Sequence, residues 1–156
     1  MEAFLLKGSA VNLSWSLVDM KYRRTSVLWG RPSSWMVWGV NERFKWLLNR
    51  LPFGVFIYVA ASPSGGSGLA LCGTALEPVG LAEAYWPQGR GWKAFYLEVE
   101  LAAPGVLDEP ENPARWRLVP RDALERLGVR VLPGPQKLSE EVVGALKGLF
   151  PVRVSP

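Results

Sequence analysis

The chain contains no histidine. That removes the commonest general base and the commonest metal ligand together. A Ser-His-Asp or Cys-His nucleophilic site is therefore excluded. Cys72 is the sole cysteine, so neither an internal disulfide nor a cysteine-based zinc cluster can form. It lies inside an apolar stretch, where a thiol reads as buried and inert, and a lone thiol fits a reducing compartment. No apolar run approaches the roughly 20 residues that a membrane helix needs. Residues 1–6 are followed at once by Lys7, Gly8 and Ser9, unlike a signal peptide. A cytoplasmic protein with no membrane partner is expected. No G-x-G-x-x-G or P-loop pattern occurs, so no nucleotide cofactor, and no cofactor of any kind, is indicated. Gly65, Gly66 and Gly68 lack a following helix and read as a loop between strands. Glutamine is confined to Gln88 and Gln136; few thermolabile residues and proline-rich loops suggest a thermophilic source.

What is present points to one domain spanning residues 1–156. A domain of this size buries roughly 70% of its unfolded surface and needs no staple. Hydrophobic residues make up 49% and charged residues 21%, the profile of a globular chain. The net charge is +4. That is compatible with phosphate contacts through counterion release, and equally with ordinary solubility charge. The eight tryptophans tip the balance, because a core of this size does not require so many.

Along the chain, residues 3–6 read as a first strand. Asn12 or Ser14 is a candidate cap for a helix through about Tyr22. Residues 27–29 read as extended and 30–33 as a turn. Asn41 suits the cap of a helix over 42–51, with Phe44, Leu47, Leu48 and Leu51 inward, stopped by Pro52. Residues 53–61 form the clearest strand, apolar almost throughout and hence central. A loop over 62–68 leads to a returning strand over 69–76, with Gly73 marking a bulge or close approach. A loop over 79–91 carries Tyr85, Trp86 and Arg90. The strand over 92–101 places Tyr96, Glu98 and Glu100 outward. Short strands are expected at 115–119 and 129–132, with a helix over 121–127 between them. Ser139 caps a terminal helix from Glu140 to about Phe150, whose early acids suit its N-terminus. The class is α+β: a mixed or antiparallel sheet of five to six strands, curled towards an open barrel, with peripheral helices.

The acidic groups, Asp108 with Glu109 and Glu111 and the pair Glu140/Glu141, sit in a loop and at a helix start and read as solvated charge. The aromatics carry more information. Trp29, Trp35 and Trp38 cluster in one irregular segment, and Tyr85, Trp86 and Trp92 in one loop. Trp15, Trp46 and Trp116 fall on regular elements and read as packing residues. Loop indoles are harder to explain by packing, because loops carry function and exposed rings are costly. Two opposed rings could hold one extruded base, with edge hydrogen bonds setting its identity.

The order of motifs resembles the EVE and YTH domains of the PUA-like superfamily over about residues 3–150. Phe4-Leu5-Leu6-Lys7-Gly8-Ser9 with Asn12 is similar to their first strand and polar turn, though Ala10-Val11 replaces a double asparagine. Val37-Trp38-Gly39-Val40 matches the V-W-G-V before the second helix of EVE domains. Residues 54–59 and Cys72-Gly73-Thr74-Ala75 resemble their central hairpin. Tyr85-Trp86 falls where a second cage tryptophan is carried, and residues 131–138 occupy the place of the late basic loop. The resemblance implies a PUA-like open barrel and a non-catalytic module. It would hold a flipped, modified base, such as N6-methyladenine, of single-stranded RNA or DNA. Trp38 and Trp86 would be the cage walls, with Trp29 the rival first wall and Tyr85 alongside. Ser9 and Asn12 would read the base edge. Lys7, Arg130, Lys137 and Arg90 would meet phosphates. Two alternatives stand beside it: an ASCH-like amidohydrolase on modified nucleosides, for which Lys7, Glu77 and Thr74 are the available trio, and a protein-interaction domain using the tryptophans as a contact patch.

Overall fold

The computed structural model describes residues 1–60 and 66–154. The central strand β3 (Phe53–Val59) shows how the sheet is built. Phe53, Val55, Ile57 and Val59 enter one hydrophobic cluster, and Phe56 and Tyr58 enter the other. Successive strand side chains point to opposite faces, so a run apolar at every position means that both faces are covered.

Around it lie β1 (Ala3–Gly8), β2 (Trp35–Val40), β4 (Gly68–Pro78), β5 (Lys93–Ala102) and the short β6 (Gln136–Lys137). Their order is β2-β5-β4-β3-β1-β6, and the short β7 (Val152–Arg153) pairs with β5. The β1–β3 pairing is parallel and the others are antiparallel. β2 and β6 end the order at opposite edges, so the sheet stays open. This mixed α+β arrangement fits the curled PUA-like sheet expected.

One face packs on α1 (Ala10–Tyr22) through Leu13 and Leu17. The other packs on α2 (Arg121–Arg126) and α3 (Glu140–Lys147) through Leu124 and Leu146. Ser139 caps α3 by accepting from the Val142 amide, as expected. The register of β4 against β5 shifts between Cys72 and Gly73. A Cβ on Gly73 would stand 1.9 Å from the Glu98 carbonyl oxygen, so the approach of the two strands requires glycine there.

Several expectations need correction. α1 begins at Ala10, capped by Ser9 rather than by Asn12 or Ser14. Residues 26–28 form a 3-10 turn instead of an extended segment. Glu42–Arg50 is 3-10 helical with a break at Phe44 rather than one regular helix, although Leu47 is buried and Phe44, Leu48 and Leu51 pack partly buried against the core as expected. Tyr96 is buried, not outward: its hydroxyl donates to the Val27 carbonyl at 2.7 Å, and Arg31 lies over its ring. Trp46 packs edge to face on Phe4 but is 39% exposed, at the margin of the core rather than inside it. The strand expected at 115–119 reduces to a 3-10 turn (Pro113–Arg115) and one bridge from Val119 to Leu69. Residues 129–132 are not a strand. The Gln136 side chain takes the hydrogen bonds there, accepting from the Leu132 amide at 2.9 Å and donating to the Arg130 carbonyl at 2.5 Å. Residues 62–65 of the expected 62–68 loop lie outside the described residues.

Candidate functional site

A cleft of about 300 Å³ opens where β1 ends, α1 begins and β2 runs out. Lys7, Gly8, Ser9 and Asn12 contribute from the β1–α1 junction, and Trp38 to Asn41 from the end of β2. Arg43, Phe44 and Leu47 line it from the 3-10 helix, and Trp86, Arg90 and Gly91 from the loop before β5. Gly134 and Pro135 close one side, and among the described residues no carboxylate lines it.

Trp38 and Trp86 are held against backbone that lacks side chains. A Cβ on Gly8 would stand 2.5 Å from Cη2 of Trp38, and one on Gly39 would stand 2.9 Å from Cζ3 of Trp86. Both indoles are buried, and they pack edge to face, with centroids 5.0 Å apart and planes at 81°. The expected pair of parallel walls with a gap between them is therefore not what the rings form. They make a corner, a favourable aromatic geometry in its own right.

α1 fixes that corner through a polar stripe. Asn12, Ser16 and Asp19 are its buried polar residues, spaced at i, i+4 and i+7 on one face. Trp86 Nε1 donates to Ser16 Oγ at 3.0 Å, and the Tyr85 hydroxyl donates to Asp19 Oδ2 at 2.5 Å. Asp19 also accepts from the amide and hydroxyl of Thr25. Burial, then the neighbouring Asp19, pushes the Tyr85 phenol well above its ordinary pKa, so it stays a donor. Tyr85 is thus an anchor under the loop and does not line the cleft.

Asn12 differs from the other two. Its backbone N–H goes to Ser9 Oγ at 3.1 Å. The residue is 9% exposed, and its Oδ1 is buried with no hydrogen-bond partner among the described residues. Ser9 spends its hydroxyl on the cap while still lining the cleft.

The expected phosphate contacts are divided. Arg90 is exposed at the rim. Lys7 lines the cleft, but its ammonium donates to the Gly134 carbonyl at 2.7 Å and to Gln136 Oε1 at 2.6 Å. Burial lowers its pKa to about 8. Lys137 pairs with Glu2 at 3.2 Å, and neither it nor Arg130 lines the cleft. Trp29 is also elsewhere, 66% exposed beyond the far end of α1. The structure therefore gathers Lys7, Ser9, Asn12, Trp38, Trp86 and Arg90, and leaves Trp29, Tyr85, Arg130 and Lys137 outside.

The trio named for an amidohydrolase is dispersed. Lys7 is in the cleft, Thr74 lines a separate cavity of about 130 Å³ beside Cys72, and Glu77 pairs with Arg31 at 2.8 Å. Among the described residues no three His, Cys, Asp or Glu side chains group as metal ligands. Sequence reasoning missed Ser16, Asp19, Arg43 and Phe44. The signal for the first two was available: polar residues at helical spacing within an otherwise apolar face.

No protein-family model matches the chain, and no curated protein matches it. Among solved structures, it is similar to human THYN1 in complex with DNA containing 5-methylcytosine, at 15% identity and TM-score 0.47, covering 96% of this chain and 97% of that one. A Pseudomonas putida protein matches at 12% identity and TM-score 0.48, covering 94% and 98%. A hypothetical protein from Leishmania major matches at 14% identity and TM-score 0.47, covering 96% and 94%.

Proposed function

We propose that this is a PUA-like, EVE/YTH-type module whose cleft receives one nucleobase flipped out of a single-stranded or locally opened nucleic acid, without chemistry on it. The observation that carries the reading is the Asn12 amide. It lines the cleft together with the two indoles, and its buried Oδ1 has no hydrogen-bond partner among the described residues. A buried acceptor without a partner costs about 1–3 kcal/mol. A guest with a polar edge and a flat apolar face relieves that cost. An asparagine amide offers a donor and an acceptor side by side, which complements a base edge.

The corner geometry changes how the base is held. It lies against the indole pair on one side only, and Phe44, Leu47 and Pro135 supply apolar lining elsewhere. A methyl group on the base meets carbon rather than an unsatisfied acceptor there, so it carries no desolvation penalty. Arg43 and Arg90, exposed at the rim, suit the flanking phosphates. A binding role is favoured over catalysis because Lys7, whose pKa burial lowers, already has two of its three donors engaged.

The test is a panel of trinucleotides in RNA and DNA form, each with one central base. Unmodified bases, N6-methyladenine and 5-methylcytosine should be included, at fixed salt. Saturable binding that discriminates among the central bases is expected. Binding that ignores base identity, or no binding by any member, refutes the assignment.

A further inference from the structure

We propose that Trp29 and Tyr22 form a second stacking platform, used by the same strand whose base occupies the cleft; this rests on the reading of the cleft given above. Trp29 is 66% exposed and Tyr22 is 54% exposed. Large rings left in water are costly unless something covers them.

Trp29 is not exposed through slackness. Its Nε1 donates to the Arg23 carbonyl at 2.9 Å, and its backbone N–H donates to Ser26. Arg23 takes the left-handed conformation that ends α1, with φ of 54°. Its guanidinium donates to the carbonyls of Leu28 at 3.0 Å and Pro32 at 2.6 Å. One arginine thus ties the start of the loop to both sides of Trp29, and the indole is presented outward in a fixed pose. Holding a ring this way lowers the ordering cost of stacking a partner on it.

The surroundings select the partner. The cations of Lys21 and Arg24 lie 5.5 and 5.6 Å from the Tyr22 ring centroid. An exposed ring with positive side chains beside it, next in sequence to the residue that holds an exposed indole, has the makings of a single-strand platform, where bases stack and phosphates meet cations. Trp46 is different: its ring packs edge to face on Phe4.

The spacing makes the idea testable. Ser9, at the cleft, caps the first turn of α1, and Tyr22 is its last residue. Thirteen helical residues span ~20 Å, about six nucleotides at the stacked spacing of roughly 3.4 Å. A trinucleotide filling the cleft cannot reach the platform, whereas a twelve-nucleotide strand can.

The experiment measures binding of trinucleotides and of 12-mers with the preferred base near either end, by fluorescence anisotropy. Wild type should bind at least one 12-mer tenfold or more tightly than the trinucleotide. Trp29→Ala should remove most of that advantage and leave trinucleotide affinity unchanged, while Trp29→Phe, which keeps a stacking ring, should retain it. An advantage that persists in Trp29→Ala and in Tyr22→Ala, or 12-mers bound no better than trinucleotides, overturns the proposal and leaves the cleft reading standing. Failure of wild type to bind any oligonucleotide removes the cleft reading and this one with it. If Trp29→Ala instead abolishes self-association in sedimentation while 12-mer binding is unchanged, the patch is a protein contact and the proposal is wrong.

Discussion

Replacing Asn12 by leucine should stabilise the free protein and cripple its binding. The two side chains have the same number of heavy atoms and the same branching, although the leucine methyls are bulkier than the planar amide they replace. The Ser9 cap survives, because Ser9 receives the backbone N–H of residue 12 and not its side chain. In the folded protein Oδ1 is buried without a partner among the described residues. Unfolding returns it to water, so the unfolded state is favoured by about 1–3 kcal/mol at this one group. Leucine removes that penalty and adds a few tenths of a kcal/mol in helix propensity. For a chain of this size each kcal/mol moves Tm by about 2–4 °C, so a rise of about 2–12 °C is expected in a thermal melt. The same exchange deletes the group proposed to meet the base edge. Discrimination worth about 1–3 kcal/mol, or roughly five- to 150-fold, should disappear from the trinucleotide panel. Opposite signs for stability and binding mark an atom kept for a ligand. A variant that melts lower and binds as before would refute the reasoning.

Two further perturbations probe the walls. Gly39→Ala puts a Cβ 2.8 Å from the Gly91 Cα and 2.9 Å from the Trp86 ring, and neither is a flexible end that could swing aside. Overpacking of this kind costs about 1–3 kcal/mol, and a urea titration should show the loss together with a shift in tryptophan emission. Lys7 gives a pH signature: burial holds its folded pKa at about 8, against 10.5 for the ordinary side chain. Between those values the unfolded state binds more protons, so this group's contribution to stability rises with pH through that window and is lost as pH falls through about 8. The difference in urea midpoint between wild type and Lys7→Met should therefore change across pH 8 to 10.5, and a constant difference would show that Lys7 is not desolvated.

The parts of this architecture readable from sequence are those where one segment carries its own signal. β3 is apolar at alternate and intervening positions alike, so its central place follows from composition. Ser139 and its helix are legible because a cap and an acidic first turn are local. The errors fall where a distant group supplies the hydrogen bonds. Residues 129–132 look like a strand, but the side-chain amide of Gln136 satisfies them. Residues 27–29 look extended, but Arg23 and Tyr96 take the Leu28 and Val27 carbonyls. In the cleft, Trp38, Trp86 and Asn12 are named from sequence through the family resemblance, while Asn12 on its own suggested a cap that Ser9 provides instead. The angle between the two indoles is not legible, since it depends on Gly8, Gly39 and Gly91 leaving room for the rings.

That division explains why the cleft takes a corner rather than a slot. Both indoles have strong intramolecular claims: Trp86 is tied to Ser16 and laid over Gly39, and Trp38 lies over Gly8. Rings fixed so firmly do not wait as separate walls for a guest, and they meet each other instead. In the proposed base-binding role, recognition then shifts from sandwiching to the edges. A face supplied by one corner discriminates poorly between planar guests, because every base has a similar flat surface. The Asn12 amide and the cations of Arg43 and Arg90 must supply what the second wall would have given. Buried polar groups discriminate more sharply than apolar contact, because a guest that fails to pair leaves them unsatisfied. On the proposed reading, a corner beside an unpaired amide is therefore a site in which Asn12 of α1 carries much of the discrimination.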